Sequence, residues 1–476
     1  MRSTKLYQIL SSFTKIEQNR LRKFVQSPFF NPSQALVQLF EYLIEDINQN
    51  AQTPLEKEDI WNILEPESSY DDVRFRKYNS DLLKLVENFL SQEVLEENKI
   101  AKSILLLEAL KKRKLDKLFS SSIRTARKLL EENPVQSAEI YLYKYQVEKN
   151  FYELSESELK RGVKSNIETI SDYLDTFYIA EKLKYYSAAV MQQQIVKLDY
   201  EISFVDSILK WLSEKDFNQI PSIALYHQIL KTTIDSENIE YYDDLKKLLS
   251  RYWLSFPKSE ATTLYYAAVN YCIKKINSGK TDFYKELFDI YREMVENEIV
   301  ISEKGEVSPW DFKNIVLIGL NSKEFDWTEN FIQKFGPIIQ EPYRENAVTF
   351  NLGQLYFYQK KYEKVLDQLR NVEYDDITYS LNSKIFLVWS FFELDESELL
   401  YSQIESFRTF INRHKEISSA RRKPLLNFLK FVKKLSWILP GDKKALDKIK
   451  AELDKIKGEG VVGINWIQEK IETLEK

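Results

Sequence analysis

A chain of 476 residues with only 10 glycines and 12 prolines is poor in the residues that mark the turns of β-rich and parallel α/β folds. Its net charge of −5 and isoelectric point of about 5.6 exclude a global attraction to nucleic acid. A single cysteine, Cys272, excludes an intramolecular disulfide. Abundant Leu, Lys and Glu point instead to helices joined by short polar links. Aromatic residues reach 14%, which suits the wide gaps between stacked helical hairpins.

Residues 1–95 read as a small helical N-terminal module. No sustained apolar run follows Arg2 and Lys5, so no signal peptide is expected and the protein is placed in the cytoplasm. Thr14-Lys15-Ile16-Glu17 has the form of a capping box opening a helix. Asn31-Pro32 is expected to open the next, with Pro at the first helical position. Its apolar face runs Leu36, Leu39, Phe40, Leu43, Ile44 and Ile47. Thr53-Pro54-Leu55-Glu56 reads as a second capping box before Ile60, Trp61 and Leu64, and a longer helix is expected from Asp72 to Ser91.

Residues 96–220 read as long, irregular helical hairpins punctuated by Asn133-Pro134 and Ser155-Glu156-Ser157-Glu158. Between residues 221 and 440 the hairpins become regular. First helices are expected to begin near Pro221, Glu260, Pro309, Tyr343 and Ile377, the last two steps being 34 residues each. Tyr241, Phe283, Phe325 and Tyr362 mark the elbows, where second helices begin, at intervals of 42, 42 and 37 residues. Such periods signal a solenoid, in which stacked hairpins bury one another's faces.

In Asn351–Val372, Leu352-Gly353, Tyr356 and Tyr362 match a first-helix Leu-Gly, the following Tyr and the elbow aromatic. The segment resembles a tetratricopeptide repeat. Val365 stands where the family has a small Ala, Leu369 where it has an aromatic, and the closing Pro is absent. The chain as a whole is similar to uncharacterised cytosolic helical-repeat proteins of Bacteroidota-type bacteria, which implies no activity. The expected fold is all-α: the N-terminal module, then a right-handed α-solenoid of degenerate, tetratricopeptide-like hairpins. Residues 441–476 carry two narrow stripes, Leu446, Ile449, Leu453, Ile456 and Ile464, Ile467, Ile471, Leu474. They read as a capping hairpin, with a dimerisation hairpin as the alternative and the oligomeric state left open.

Chemistry is sparse. His227, His414 and Cys272 supply neither the number nor the spacing of a metal site, and Cys272 lies on an apolar helix face with Ala267, Ala268 and Tyr271. Gly458-Glu459-Gly460-Val461-Val462-Gly463 matches a dinucleotide fingerprint in letters alone, since no βαβ unit surrounds it; it reads as a turn. Tyr70-Asp71-Asp72, Tyr242-Asp243-Asp244 and Tyr374-Asp375-Asp376 lack the third acid of a diphosphate-binding cluster and read as helix starts. No catalytic residue, metal or cofactor is assigned, and no segment is apolar enough to span a bilayer.

Basic patches are the remaining candidates. Arg413 to Lys457 holds 14 Lys and Arg against 5 Asp and Glu, a local net charge of +9. Arg421, Arg422, Lys423, Lys430, Lys433 and Lys434 form one expected stripe, opposite Leu426, Leu429 and Val432. A second cluster holds Lys111, Lys112, Arg113, Lys114, Lys117, Arg124, Arg127 and Lys128. The leading expectation is a cytoplasmic scaffold or adaptor that binds another protein through a preformed surface. The alternative is nucleic-acid association through the Arg413–Lys457 stripe, and the bland reading of that stripe is a solvated helix face laced with ion pairs.

Overall fold

A computed structural model describes residues 1–49, 55–155, 164–195, 199–214, 217–370, 377–456 and 460–475. Among the described residues the chain is all-helical. The only β pairing there is a pair of isolated bridges, Ile301 to Val307 and Val307 to Ile339. By contact the chain falls into two units, Met1–Glu181 and Lys182–Lys476.

The first helices are α1 (Lys5–Ser11), α2 (Lys15–Val25), α3 (Gln34–Gln49), α4 (Lys57–Leu64) and α5 (Asp72–Glu97). They pack non-sequentially, with α3 touching α1, α2, α4 and α5 around a core of Leu21, Phe40, Leu43, Trp61, Phe75 and Leu82. The capping box at Thr14 is present: its hydroxyl accepts from Glu17 N while the Glu17 carboxylate accepts from Thr14 N. Two other starts differ from expectation. Pro32 is not the first residue of α3, because Asn31 Oδ1 accepts from Ser33 N and Asn31 Nδ2 donates to Val25 O at 2.9 Å, holding a turn ahead of Gln34. α4 begins at Lys57, and Thr53 and Pro54 lie outside the described residues. α5 runs six residues past the expected Ser91, to the Asn98 that in turn caps α6.

Next come α6 (Lys99–Lys112), α7 (Asp116–Glu131), α8 (Ala138–Ser155), α9 (Ile167–Ile195) and α10 (Val205–Ser213). α6, α7 and α8 share their own core around Leu107, Phe119, Ile123 and Val147. The predicted break at Glu156-Ser157-Glu158 lies outside the described residues.

The hairpin region follows the expected order. It comprises α11 (Pro221–Ile234), α12 (Ile239–Tyr252), α13 (Lys258–Asn277), α14 (Phe283–Glu296), α15 (Pro309–Asn321) and α16 (Phe325–Phe335). Then come α17 (Arg344–Tyr358), α18 (Tyr362–Leu369), α19 (Ile377–Glu393) and α20 (Ser397–Arg413). Pro221 and Pro309 are first residues of their helices, where a missing N–H costs nothing. Phe283, Phe325 and Tyr362 are also first residues, and Tyr241 is the third of α12. From α11 to α20 each helix packs chiefly on the next or the next but one.

One turn recurs at the elbows. Lys323, Lys360 and Asp395 have φ near +60°. The N–H of the following residue reaches back to close the preceding helix: Glu324 to Gly319 O, Lys361 to Tyr356 O, Glu396 to Phe391 O. These are Schellman caps, and the residue that closes one helix is also the N-cap of the next. Lys114 makes the same turn between α6 and α7, with Leu115 N reaching Leu110 O.

The last helices are α21 (Ser419–Leu435), α22 (Lys443–Lys455) and α23 (Ile464–Glu475). Leu446, Ile449, Ile467 and Ile471 are buried within the chain's own core beside α19, α20 and α21, so the first terminal stripe is already covered on its first two residues and the second on its middle two.

Candidate partner-binding site

All six predicted contact residues fall on α21. The helix buries Leu425, Phe428, Leu429, Phe431, Val432 and Leu435 in a core shared with α19, α20 and α23, while Leu426 is half-buried. That burial turns the basic residues outward, as the 3–4 spacing implies. The stripe nevertheless divides into two parts.

At its start, Arg421 and Lys423 are exposed. Arg422 is half-buried, and its Nη2 donates to His414 O at 3.0 Å, tying down the link from α20. Further along, Lys430 and Lys434 converge on one carboxylate of α22, Glu452, at 3.3 and 2.5 Å. Lys433 reaches Glu405 of α20 at 3.2 Å, and Arg408 shares that carboxylate at 2.8 Å. Lys434 above all, with Lys430, holds Glu452 below the usual carboxylate range; Lys433 and Arg408 do the same for Glu405. Three of the six predicted side chains thus stitch α20, α21 and α22 together. Exposed pairs of this kind contribute about 0–1 kcal/mol each, so their effect is mainly to fix side-chain direction.

No family model, curated protein or solved structure matches this chain.

The second basic cluster is also partly paired. Lys111 reaches Glu153 at 2.5 Å and Asn150 at 2.8 Å, Arg127 grips Glu148 through two nitrogens at 2.7 Å, and Lys128 lies 3.6 Å from Glu132. Lys112, Arg113, Lys114, Lys117 and Arg124 are exposed.

The other chemistry-bearing residues sit in structural surroundings. Cys272 is fully buried, 3.0 Å from the Tyr242 hydroxyl, and burial pushes its thiol up to about 12. That removes the thiolate a nucleophile needs. Burial pushes the His227 imidazole down to about 4, assisted by Lys231. His414 Nδ1 lies 2.5 Å from Glu416, far in sequence from Cys272 and His227. Among the described residues, no group of three or more His, Cys, Asp or Glu is placed to hold a metal ion.

The acid pairs divide as well. Asp71 caps α5, accepting from Val73 N and Arg74 N. Asp243 and Asp244 do not open a helix: α12 starts at Ile239 under an Asn238 cap, and the two acids pair with Lys246 and Lys247 one turn on. Asp375 and Asp376 lie outside the described residues, as do Gly458 and Glu459. Gly460 and Gly463 occupy a turn between α22 and α23 with φ of +76° and +66°. A β-carbon on Gly463 would strike Trp389, so this glycine serves close packing.

Sequence reasoning located the stripe but missed Glu405 and Glu452. Each is an ordinary helix-surface acid in sequence, and only the packing of α20 and α22 beside α21 gives it a partner.

Proposed function

We propose that this chain is a cytoplasmic helical-repeat scaffold or adaptor that binds another protein through a preformed surface. The observation that carries this reading is the next-neighbour packing from α11 to α20, with the same three-residue turn closing three of its hairpins. Packing of this kind is the signature of repeat architectures, whose extended faces hold partners. Short turns closed by two backbone hydrogen bonds leave little to be ordered on association, so less of the contact energy is lost to entropy. Large apolar side chains stay exposed in the same unit, among them Trp310 at 72% and Trp437 at 71%. Among the described residues, no helix is long and apolar enough to cross a membrane. The ion pairs of Lys430, Lys433 and Lys434 weigh against a stripe poised for phosphates.

The test is recovery of the tagged full-length protein from its own cytosol, with and without nuclease, at low and high salt. A protein partner that persists through nuclease and high salt is the expected result. Recovery of nucleic acid, with every protein partner lost on nuclease treatment, overturns the proposal.

A further inference from the structure

Seven consecutive residues, 112–118, are exposed where α6 turns into α7. Lys112, Arg113, Lys114 and Lys117 place four cations there, against the one acid Asp116. Leu115 and Leu118 add two apolar side chains, 42% and 56% exposed. The turn that presents them is fixed. Lys114 has φ of +53°, and Lys114 N and Leu115 N donate to Lys111 O and Leu110 O at 3.0 and 3.2 Å.

The neighbouring acids are already engaged. Glu153 is held by Lys111 and Glu148 by Arg127, while among the described residues Lys112, Lys114 and Lys117 make no ion pair. Residues 156–163, which follow α8 in sequence, carry two acids and two bases and so add no net charge. Folding does not call for all four cations. Lys112 and Arg113 close α6, where the helix dipole favours positive charge. Lys114 and Lys117 stand at the start of α7, where it disfavours positive charge.

We propose that the end of the α6–α7 hairpin docks on an anionic phospholipid bilayer. Lys112, Arg113, Lys114 and Lys117 meet the headgroups, and Leu115 and Leu118 enter the boundary with the acyl chains. Charge complementarity supplies the attraction, and the interleaved leucines select the partner. Contacts to the phosphates of a nucleic acid make no use of leucine. A specific protein interface draws on about 20–30 residues a side, more than this end offers. Attraction to a charged bilayer instead accumulates lysine by lysine. The overall charge of −5 does not cancel it, since exposed charges more than about 10 Å away are largely screened at moderate salt. The fixed turn leaves little to be ordered on docking. This surface belongs to the first unit, whereas the protein-binding reading rests on α11 to α20.

The test sediments the full-length protein with vesicles of phosphatidylcholine alone and of equal parts phosphatidylcholine and phosphatidylserine. Partition onto the mixed vesicles is expected, with little onto phosphatidylcholine alone and a steep loss on added salt. Lys117→Gln is expected to lower the partition coefficient about fivefold, the effect of one lysine at an anionic surface. It also separates binding from folding, because removing a cation from a helix start leaves the melting temperature equal or higher. Leu118→Ser is expected to lower partition severalfold with the salt dependence of the parent protein. Failure to sediment with the mixed vesicles, partition indifferent to either substitution, or tighter capture by single-stranded RNA or polyglutamate than by those vesicles overturns the proposal.

Discussion

A β-carbon on Gly353 would lie 2.7 Å from both Cγ and Cδ2 of Leu369, which is buried on the facing helix of the same hairpin. Gly353→Ala is therefore expected to lower the unfolding free energy in urea by about 2 kcal/mol, the usual penalty of overpacking. Leu369→Ala should cost less in that background than alone; strictly additive losses would mean that the methyl and the leucine never meet. His227 gives a second residue-scale outcome. Its folded pKa is depressed to about 4 against an ordinary 6.5, so the unfolded chain binds the extra proton first. The neutral imidazole's contribution is complete above pH 6.5 and is lost as pH falls from 6.5 to 4, on the order of 2–3 kcal/mol. Denaturation midpoints of His227→Gln should fall less steeply across that window, and an unchanged slope would assign the acid sensitivity to other groups. The glycine contact was legible in sequence, because a small residue beside Tyr356 and Tyr362 at helical spacing implies close approach. The ion pairs of the basic stripe were not: Glu405 and Glu452 carry no signal in a linear reading, and only the packing of α20 and α22 beside α21 brings them to Lys430, Lys433 and Lys434.

The elbows explain how so long a helical chain manages with so few glycines. Residues that close a helix in the left-handed region are usually glycine, because a side chain there costs roughly 1–2 kcal/mol. Here Lys114, Lys323, Lys360 and Asp395 hold those positions. Replacing Lys360 or Lys323 by glycine is expected to stabilise the protein by about 0.5–1 kcal/mol, after the greater freedom of glycine in the unfolded chain is subtracted. The two gains should add, since the sites belong to separate hairpins. Losses on substitution would show that the lysine side chains contribute contacts that outweigh the backbone strain. Helix starts were accurately legible wherever an aromatic or a proline stood first, as at Phe283, Phe325, Tyr362, Pro221 and Pro309. They were misread where a side chain formed a local turn instead, as at Asn31, or where acids sat a turn inside the helix, as at Asp243 and Asp244. The helix ends at 321, 358 and 393 were hard to read because no glycine announced them.

Across the larger unit, next-neighbour packing predicts how a disturbance spreads. In hydrogen-exchange measurements, Gly353→Ala is expected to speed exchange in α17 and α18 and in the adjoining α15, α16 and α19. Protection of α11 and α12 should stay as in the parent protein, because stability in such arrays is a sum of local terms. A uniform rise across the unit would show a single cooperative block instead. The last helix reaches further back than its neighbours. Trp466 and Lys470 of α23 both hold Glu393 of α19, and the Trp466 ring lies 5.9 Å from that of Trp389. Lys470 follows Glu393 by 77 residues. At a synthesis rate of about 5–20 residues per second, a nascent chain spends roughly 4–15 s with that aromatic face made but uncovered. During that interval the growing chain carries the aromatic face of α19 without the helix that covers it.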